Sequence, residues 1–258
     1  MKVAVVGLGS MGRRYVRNLQ SLGVSVVGVD PIGRGDLTMP CVPQVADLPS
    51  VDAVIIATLA ERHLEDASHF LGKIPLLIEK PLGLLRDPWP STAENVWIAY
   101  NWRLDPALAQ VKRGIGRVRY ARFEYGQLLS EWRAGSSVYR HAGLPLECSH
   151  EIDMAHWLLG PFISSMKAVS DAEVFEVTGR CERGPFSIRL DWCVPGYRRS
   201  VTLGTDAGEV RWTGDRALVE ATYLAEVKAF LSAIEGQPTD LATYADGLEV
   251  LRFVRGVT

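Results

Sequence analysis

Short, almost unbroken apolar runs punctuate the first hundred residues, and each is followed by a stretch with helical periodicity. Val3–Val6, Val24–Val29, Ala53–Ala57 and Leu76–Ile78 read as buried strands, since brief apolar runs bounded by turn residues suit a sheet covered on both faces. Met11–Leu22 and Arg62–Leu71 read as helices, with Gly23 as the stop after the first. Strands alternating with helices imply right-handed crossovers and therefore a parallel sheet.

Beyond about residue 117 the texture changes. Val118–Tyr125 alternates apolar and polar positions, and Ser149–Leu159 has the length and face of a short helix. Ser165–Val169, Val174–Gly179, Phe186–Trp192, Ser200–Gly204 and Glu209–Trp212 are strand-like. Arg183-Gly184-Pro185, Pro195-Gly196 and Asp206-Ala207-Gly208 lie between them as turns. Such turns predict hairpins and a mostly antiparallel sheet. Tyr223–Ile234 and Thr243–Val254 close the chain as helices. The expected fold class is α/β: an N-terminal Rossmann doubly wound parallel sheet over residues 1–100, then an α+β domain with an open, mostly antiparallel sheet over 101–258. The last helix is expected to pack back on the first domain.

Composition narrows the function classes. The 258 residues are 47% hydrophobic and 22% charged, the mix of a soluble globular protein. A net charge of -2 gives no electrostatic footprint for nucleic acid. No run approaches the roughly 18 apolar residues of a membrane span. The chain opens directly on a strand, without the pattern of a signal peptide, so a cytoplasmic protein is expected. Cys41, Cys148, Cys181 and Cys193 are scattered without a CxxC pair and read as reduced thiols. Trp192 and Trp212 fall in strands of the open sheet. An apolar sheet face there would be covered by a second copy, so a homodimer or homotetramer is expected.

The first chemical signal is Gly7-Leu8-Gly9-Ser10-Met11-Gly12, which follows a strand and opens a helix. In that context the first glycine permits the tight turn and the second lets a pyrophosphate approach the backbone. The third allows close helix packing, and the helix N-terminus offers its N–H groups to the phosphates. Asp30 ends the second strand, where a carboxylate bonds ribose hydroxyls and repels a 2′-phosphate. NAD is therefore expected in preference to NADP, although Arg34 close behind can soften the preference. Asp30-Pro31 reads equally well as a simple turn start.

Several further segments together resemble one family. The glycine turn continues as Gly12-Arg13-Arg14, and the third strand runs into Ala57-Thr58 with His63 beyond. Glu79-Lys80-Pro81-Leu82, Tyr100-Asn101-Trp102-Arg103 with Pro106, and Ser149-His150-Glu151-Ile152-Asp153 before Trp157-Leu158-Leu159-Gly160 follow in order. With these motifs the whole chain resembles the glucose-fructose oxidoreductase/inositol dehydrogenase/MocA family. The stretch from Tyr125-Gly126-Gln127 through Trp132-Arg133 to Tyr139-Arg140 is similar to a branch associated with bacterial surface sugars. The chain departs from the pattern in being shorter, and in carrying Leu104 and Asp105 where an aromatic and a His are common. Leu146 and Glu147 occupy the two positions where an Asp precedes the family's catalytic histidine.

The resemblance implies hydride transfer between a nicotinamide cofactor and a sugar or sugar derivative, which can be nucleotide-linked. Lys80 and His150 are the implied catalytic groups, with Glu147 and Asp153 as acid partners; Asp153 can equally belong to a domain interface. Thr58, His63, Glu79 and Lys80 join Gly7, Gly9, Ser10, Met11, Gly12 and Asp30 as expected cofactor contacts. Arg103, Trp132, Arg133, Tyr139 and Arg140 are the expected substrate contacts; loop packing is an equal reading for Trp132, Arg133, Tyr139 and Arg140, and His63 can instead cap its helix. No metal is expected: the second His of HExxH is missing because residue 154 is Met, and His156 lies off the face of His150. Two alternatives remain open at the level of sequence, a non-catalytic dinucleotide-binding regulator and a reductase of imines or double bonds on the same scaffold.

Overall fold

The computed structural model describes residues 1–32, 37–133, 145–163, 167–170 and 173–257. The chain divides into two compact units, Met1–Asn101 with Glu220–Gly247, and Trp102–Val219 with Leu248–Thr258. Residues 220–247 group with the first unit. The cause is packing: Trp97 meets Phe230 edge-on at 5.8 Å, and Asn101 donates to the Thr222 hydroxyl at 2.7 Å.

In the first unit seven strands form one sheet: β1 Lys2–Val6, β2 Ser25–Val29, β3 Cys41–Val42, β4 Ala53–Ile56, β5 Leu76–Glu79, β6 Val96–Ala99 and β13 Ala242–Thr243. Their order is β13-β6-β5-β4-β1-β2-β3. Only β13 is antiparallel to its neighbour, pairing Ala242 with Ile98. Val3, Ala4, Val5, Ile55 and Leu77 are wholly buried, which explains the unbroken apolar runs of strands covered on both faces. The chain winds outward from β1 in both directions. The carboxyl end of β1 is therefore the switch point, where open α/β sheets bind ligands.

The second unit holds a six-stranded sheet of β7 Tyr120–Gly126, β8 Lys167–Ser170, β9 Val174–Cys181, β10 Gly184–Asp191, β11 Arg198–Thr205 and β12 Gly208–Thr213. The order is β12-β11-β7-β10-β9-β8. All neighbours are antiparallel except β10 and β7, which run parallel with Phe186 opposite Ala121. Alternate residues Ala121, Phe123 and Tyr125 face inward, as do Ile188, Leu190, Val201 and Leu203. The helix Ser149–Leu159 packs on β7, β9 and β10. A second helix, Pro106–Gly114, is capped by Asp105, which accepts from the N–H groups of Ala107 and Leu108 at 2.9 Å. Asp105 also accepts from the Trp212 indole at 3.1 Å. Its departure from the family pattern thus has a local structural use.

Trp192 and Trp212 are buried, and Trp102 stacks edge-on against Trp212 at 5.3 Å. The expectation of an apolar face around these tryptophans is corrected: the outward side of β7, β10, β11 and β12 carries Arg122, Glu124, Arg189, Arg198 and Arg211. Among the described residues, no helix is long and apolar enough to cross a membrane.

Candidate active site

The three glycines of the first turn divide their work. Gly7 has φ +87°, and a Cβ there would stand 2.8 Å from the Thr58 backbone nitrogen. A Cβ on Gly12 would stand 1.8 Å from the Gly7 carbonyl oxygen, closer than any contact allows. Around Gly9 nothing lies within 4 Å of an added Cβ. Gly7 and Gly12 are thus required by the protein itself, whereas Gly9 leaves a cradle open above the backbone. Gly9 also precedes the helix Ser10–Ser21, which has no side-chain cap at its start. Its first N–H groups and positive dipole end therefore suit an anion. Ser10 and Met11 form the first turn of that helix, and the Met11 sulfur lies 2.8 Å from the Arg14 guanidinium.

Asp30 sits at the carboxyl end of β2. One carboxylate oxygen accepts the Leu8 N–H at 2.9 Å and the other accepts the Ile32 N–H at 3.0 Å. Both sequence readings are compatible with this geometry. The carboxylate opens the Asp30-Pro31 turn, and it is pinned beside the glycine turn. Arg34 lies outside the described residues.

Thr58 follows β4 and donates its hydroxyl to Asp66 at 2.7 Å. The buried His63 ring is held between backbone carbonyls: Nε2 is 3.1 Å from the Thr58 oxygen, and Nδ1 is 3.0 Å from Pro81 and 3.3 Å from Leu82. Burial lowers the His63 pKa, against the three carbonyls, which raise it. The neutral ring donates from one nitrogen, to Thr58 or to the Pro81–Leu82 side, and its other nitrogen lies against the opposite carbonyl, so His63 packs between the loop after β4 and the loop after β5.

Glu79 ends β5 and is buried. Tyr15 places its hydroxyl 2.7 Å from one carboxyl oxygen, and the Lys80 N–H donates to the other at 3.0 Å. Burial raises the Glu79 pKa; the Tyr15 hydrogen bond and the Lys80 charge oppose that rise. Both Glu79 oxygens are therefore engaged within the unit. Lys80, half-exposed, comes directly after the strand, and its peptide with Pro81 is cis.

In the second unit, His150 and Glu147 are buried at the start of the helix Ser149–Leu159. The helix is capped at Cys148 without a side-chain bond, so Ser149 opens it from inside. Asp153 receives the Arg103 guanidinium in a two-pronged pair, Nε to Oδ2 at 3.0 Å and a terminal nitrogen to Oδ1 at 2.6 Å. Arg103, expected as a substrate contact, is buried and paired with Asp153. Glu151 is paired with Arg199 at 2.7 Å, and Arg199 lies over the Tyr125 ring at 4.3 Å. Sequence reading missed Arg199 because its partner lies 48 residues away. Two buried ion pairs, at Glu151 and Asp153, lock the rotation of the helix that carries His150. Tyr139 and Arg140 lie outside the described residues, as do the side chains of Trp132 and Arg133.

Compared by sequence, the chain matches no protein-family model and no curated protein. Compared by fold, it matches solved dehydrogenases over nearly its whole length. UDP-N-acetylglucosamine 3-dehydrogenase from Acidithiobacillus ferrooxidans superposes with a TM-score of 0.79 at 18% identity, covering 100% of this chain and 96% of that one. Myo-inositol dehydrogenase from Lactobacillus casei, solved with NAD(H) and myo-inositol, gives 0.79 at 18% identity, covering 100% and 93%. The WlbA dehydrogenase from Thermus thermophilus, solved with NAD and UDP-GlcNAcA, gives 0.75 at 16% identity, covering 98% and 93%. At these identities the likeness establishes the shared fold.

Proposed function

We propose that this chain is an NAD-dependent oxidoreductase of the glucose-fructose oxidoreductase/inositol dehydrogenase/MocA type, acting on a hydroxyl-bearing carbon of a sugar or sugar derivative. The observation that carries the reading is the open cradle at Gly9, on the same carboxyl edge of the sheet that delivers Lys80. The fit of a dinucleotide rests on that cradle, on the uncapped helix start at Ser10 and on the pinned Asp30 carboxylate. When bound, NAD supplies the hydride acceptor or donor. The solved dehydrogenases of the same fold, on inositol and on nucleotide-linked sugars, support the substrate class.

In this reading Lys80 donates to the substrate oxygen and stabilises developing alkoxide charge. His150 is the proposed general acid/base, with Glu147 beside it in the chain. Trp132, Arg133, Tyr139 and Arg140 remain the proposed sugar contacts, through stacking faces and cationic forks. Following NADH absorbance against a panel of neutral, acidic and nucleotide-linked sugars tests the proposal, and no turnover with any of them would overturn it.

The glycines provide a sharper check on cofactor binding. Gly9→Ala is expected to leave the urea midpoint nearly unchanged while weakening NADH binding by roughly 5- to 150-fold, the equivalent of about 1–3 kcal/mol of steric misfit. Gly12→Ala is expected to lower the midpoint itself. Fluorescence titration and urea unfolding of both variants separate the two effects, and equal behaviour would refute the division.

Cofactor choice follows from Asp30. NAD(H) is expected to bind more tightly than NADP(H), because the pinned carboxylate confronts the 2′-phosphate with like charge. Matched dissociation constants for the two, measured by fluorescence titration, would remove Asp30 as the selector.

A further inference from the structure

Inside the first unit, Tyr15 stands between two buried carboxyl groups. Its hydroxyl oxygen is 2.7 Å from Oε1 of Glu79 and 3.0 Å from Oε2 of Glu226. Tyr15 and Glu226 are both fully buried. A single hydroxyl carries one proton, so it can donate to only one carboxyl and must accept from the other. Glu79 is assigned as the acceptor, because the Lys80 N–H on its second oxygen and the nearby Lys80 charge both favour its ionised form. Glu226 then brings the second proton. Among the described residues its Oε1 has no hydrogen-bond partner, which is tolerable for a carbonyl-type oxygen and costly for a buried carboxylate.

We propose that Glu226 is a positioning residue held in its acid form, donating through Oε2 to Tyr15, so that Tyr15 donates to a Glu79 carboxylate that fixes the Lys80 backbone. The role assigned to Lys80 rests on the functional reading above; the protonation of Glu226 does not. The charged and titratable groups around the array are Glu79 and Lys80 at the end of β5, Arg14 and Tyr15 on the helix Ser10–Ser21, and Tyr223 on the Glu226 helix. The Arg14 guanidinium is held by Glu220 at 2.8 Å, above the Tyr223 ring. Burial, then the nearby Glu79 charge, raise the Glu226 pKa well above the ordinary carboxyl range.

The consequence is a native state that keeps a proton the unfolded chain has released. Stability from this group is complete below the unfolded carboxyl value of about 4.3. It declines as pH rises toward the native value, by about tenfold in the folding constant per pH unit. Glu226→Gln, neutral at every pH and still a donor, is expected to remove that decline in urea unfolding of the full chain. Difference infrared spectroscopy at neutral pH is expected to show a protonated-carboxyl stretch that Glu226→Gln abolishes. Tyr15→Phe, which takes away the acceptor, should shift the same band. No such band in the wild type, or a band lost in Glu79→Gln and kept in Glu226→Gln, would overturn the proposal. For turnover, Glu226→Ala is expected to lower kcat, with Gln restoring most of the loss; equal loss in both variants would refute the positioning role. Failure of every sugar to turn over would count against the functional reading alone, since the infrared and unfolding results decide Glu226 without substrate.

Discussion

Replacing Lys80 with alanine is expected to lower turnover by about 10²–10⁴-fold, the usual contribution of a positioned acid/base group, while NADH affinity stays within a few-fold. The separation follows from how the residue is built into the sheet. Its backbone N–H is held by Glu79, and Glu79 by Tyr15, so truncating the side chain leaves the anchor of the loop in place. The following residues are fixed independently, because the His63 ring lies against the carbonyls of Pro81 and Leu82. Only the ammonium is lost. Steady-state kinetics and a fluorescence titration on one preparation check both halves, and a near-wild-type rate on the true substrate would end the catalytic assignment of Lys80.

Asp153→Ala is expected to act on stability first, by about 3–5 kcal/mol, because it leaves the Arg103 charge buried without its counter-ion. Arg103 and Asp153 are 4% and 1% exposed, so solvent cannot take over the lost partner. A double variant that also replaces Arg103 with a methionine should recover much of that loss, since an apolar pair can fill the space of a buried ion pair. Urea unfolding of the single and double variants gives the answer. Unchanged stability in Asp153→Ala, with a large fall in kcat, would instead restore Asp153 to the chemistry as the partner of His150.

Much of the first unit was legible because its signals are local. β1, β2, β4 and β5 are short apolar runs whose burial on both faces follows from the runs themselves. β3 and β13 are two residues long and carry too little pattern to be read. The helix Pro106–Gly114 was missed although its cap, Asp105 followed by proline, is a recognised start signal. In the second unit the alternation of β7 and β9–β12 was readable. The parallel pairing of β10 with β7 was not, since alternation reports which face is buried and never which strand lies alongside.

By itself the sequence determined the glycine turn, the strand and helix order around it, and the placing of Lys80 directly after a buried strand. Each depends on backbone sterics or on apolar periodicity within a few residues. Only the tertiary structure decided how the charged side chains are committed. Arg103 meets Asp153 from 50 residues away, and Tyr15 meets Glu226 from 211. A residue type states what a side chain is able to bond, but burial and the group brought opposite it select which bond is made. Arg103 and His63, named as ligand contacts through the family resemblance, are held in an internal ion pair and against loop carbonyls.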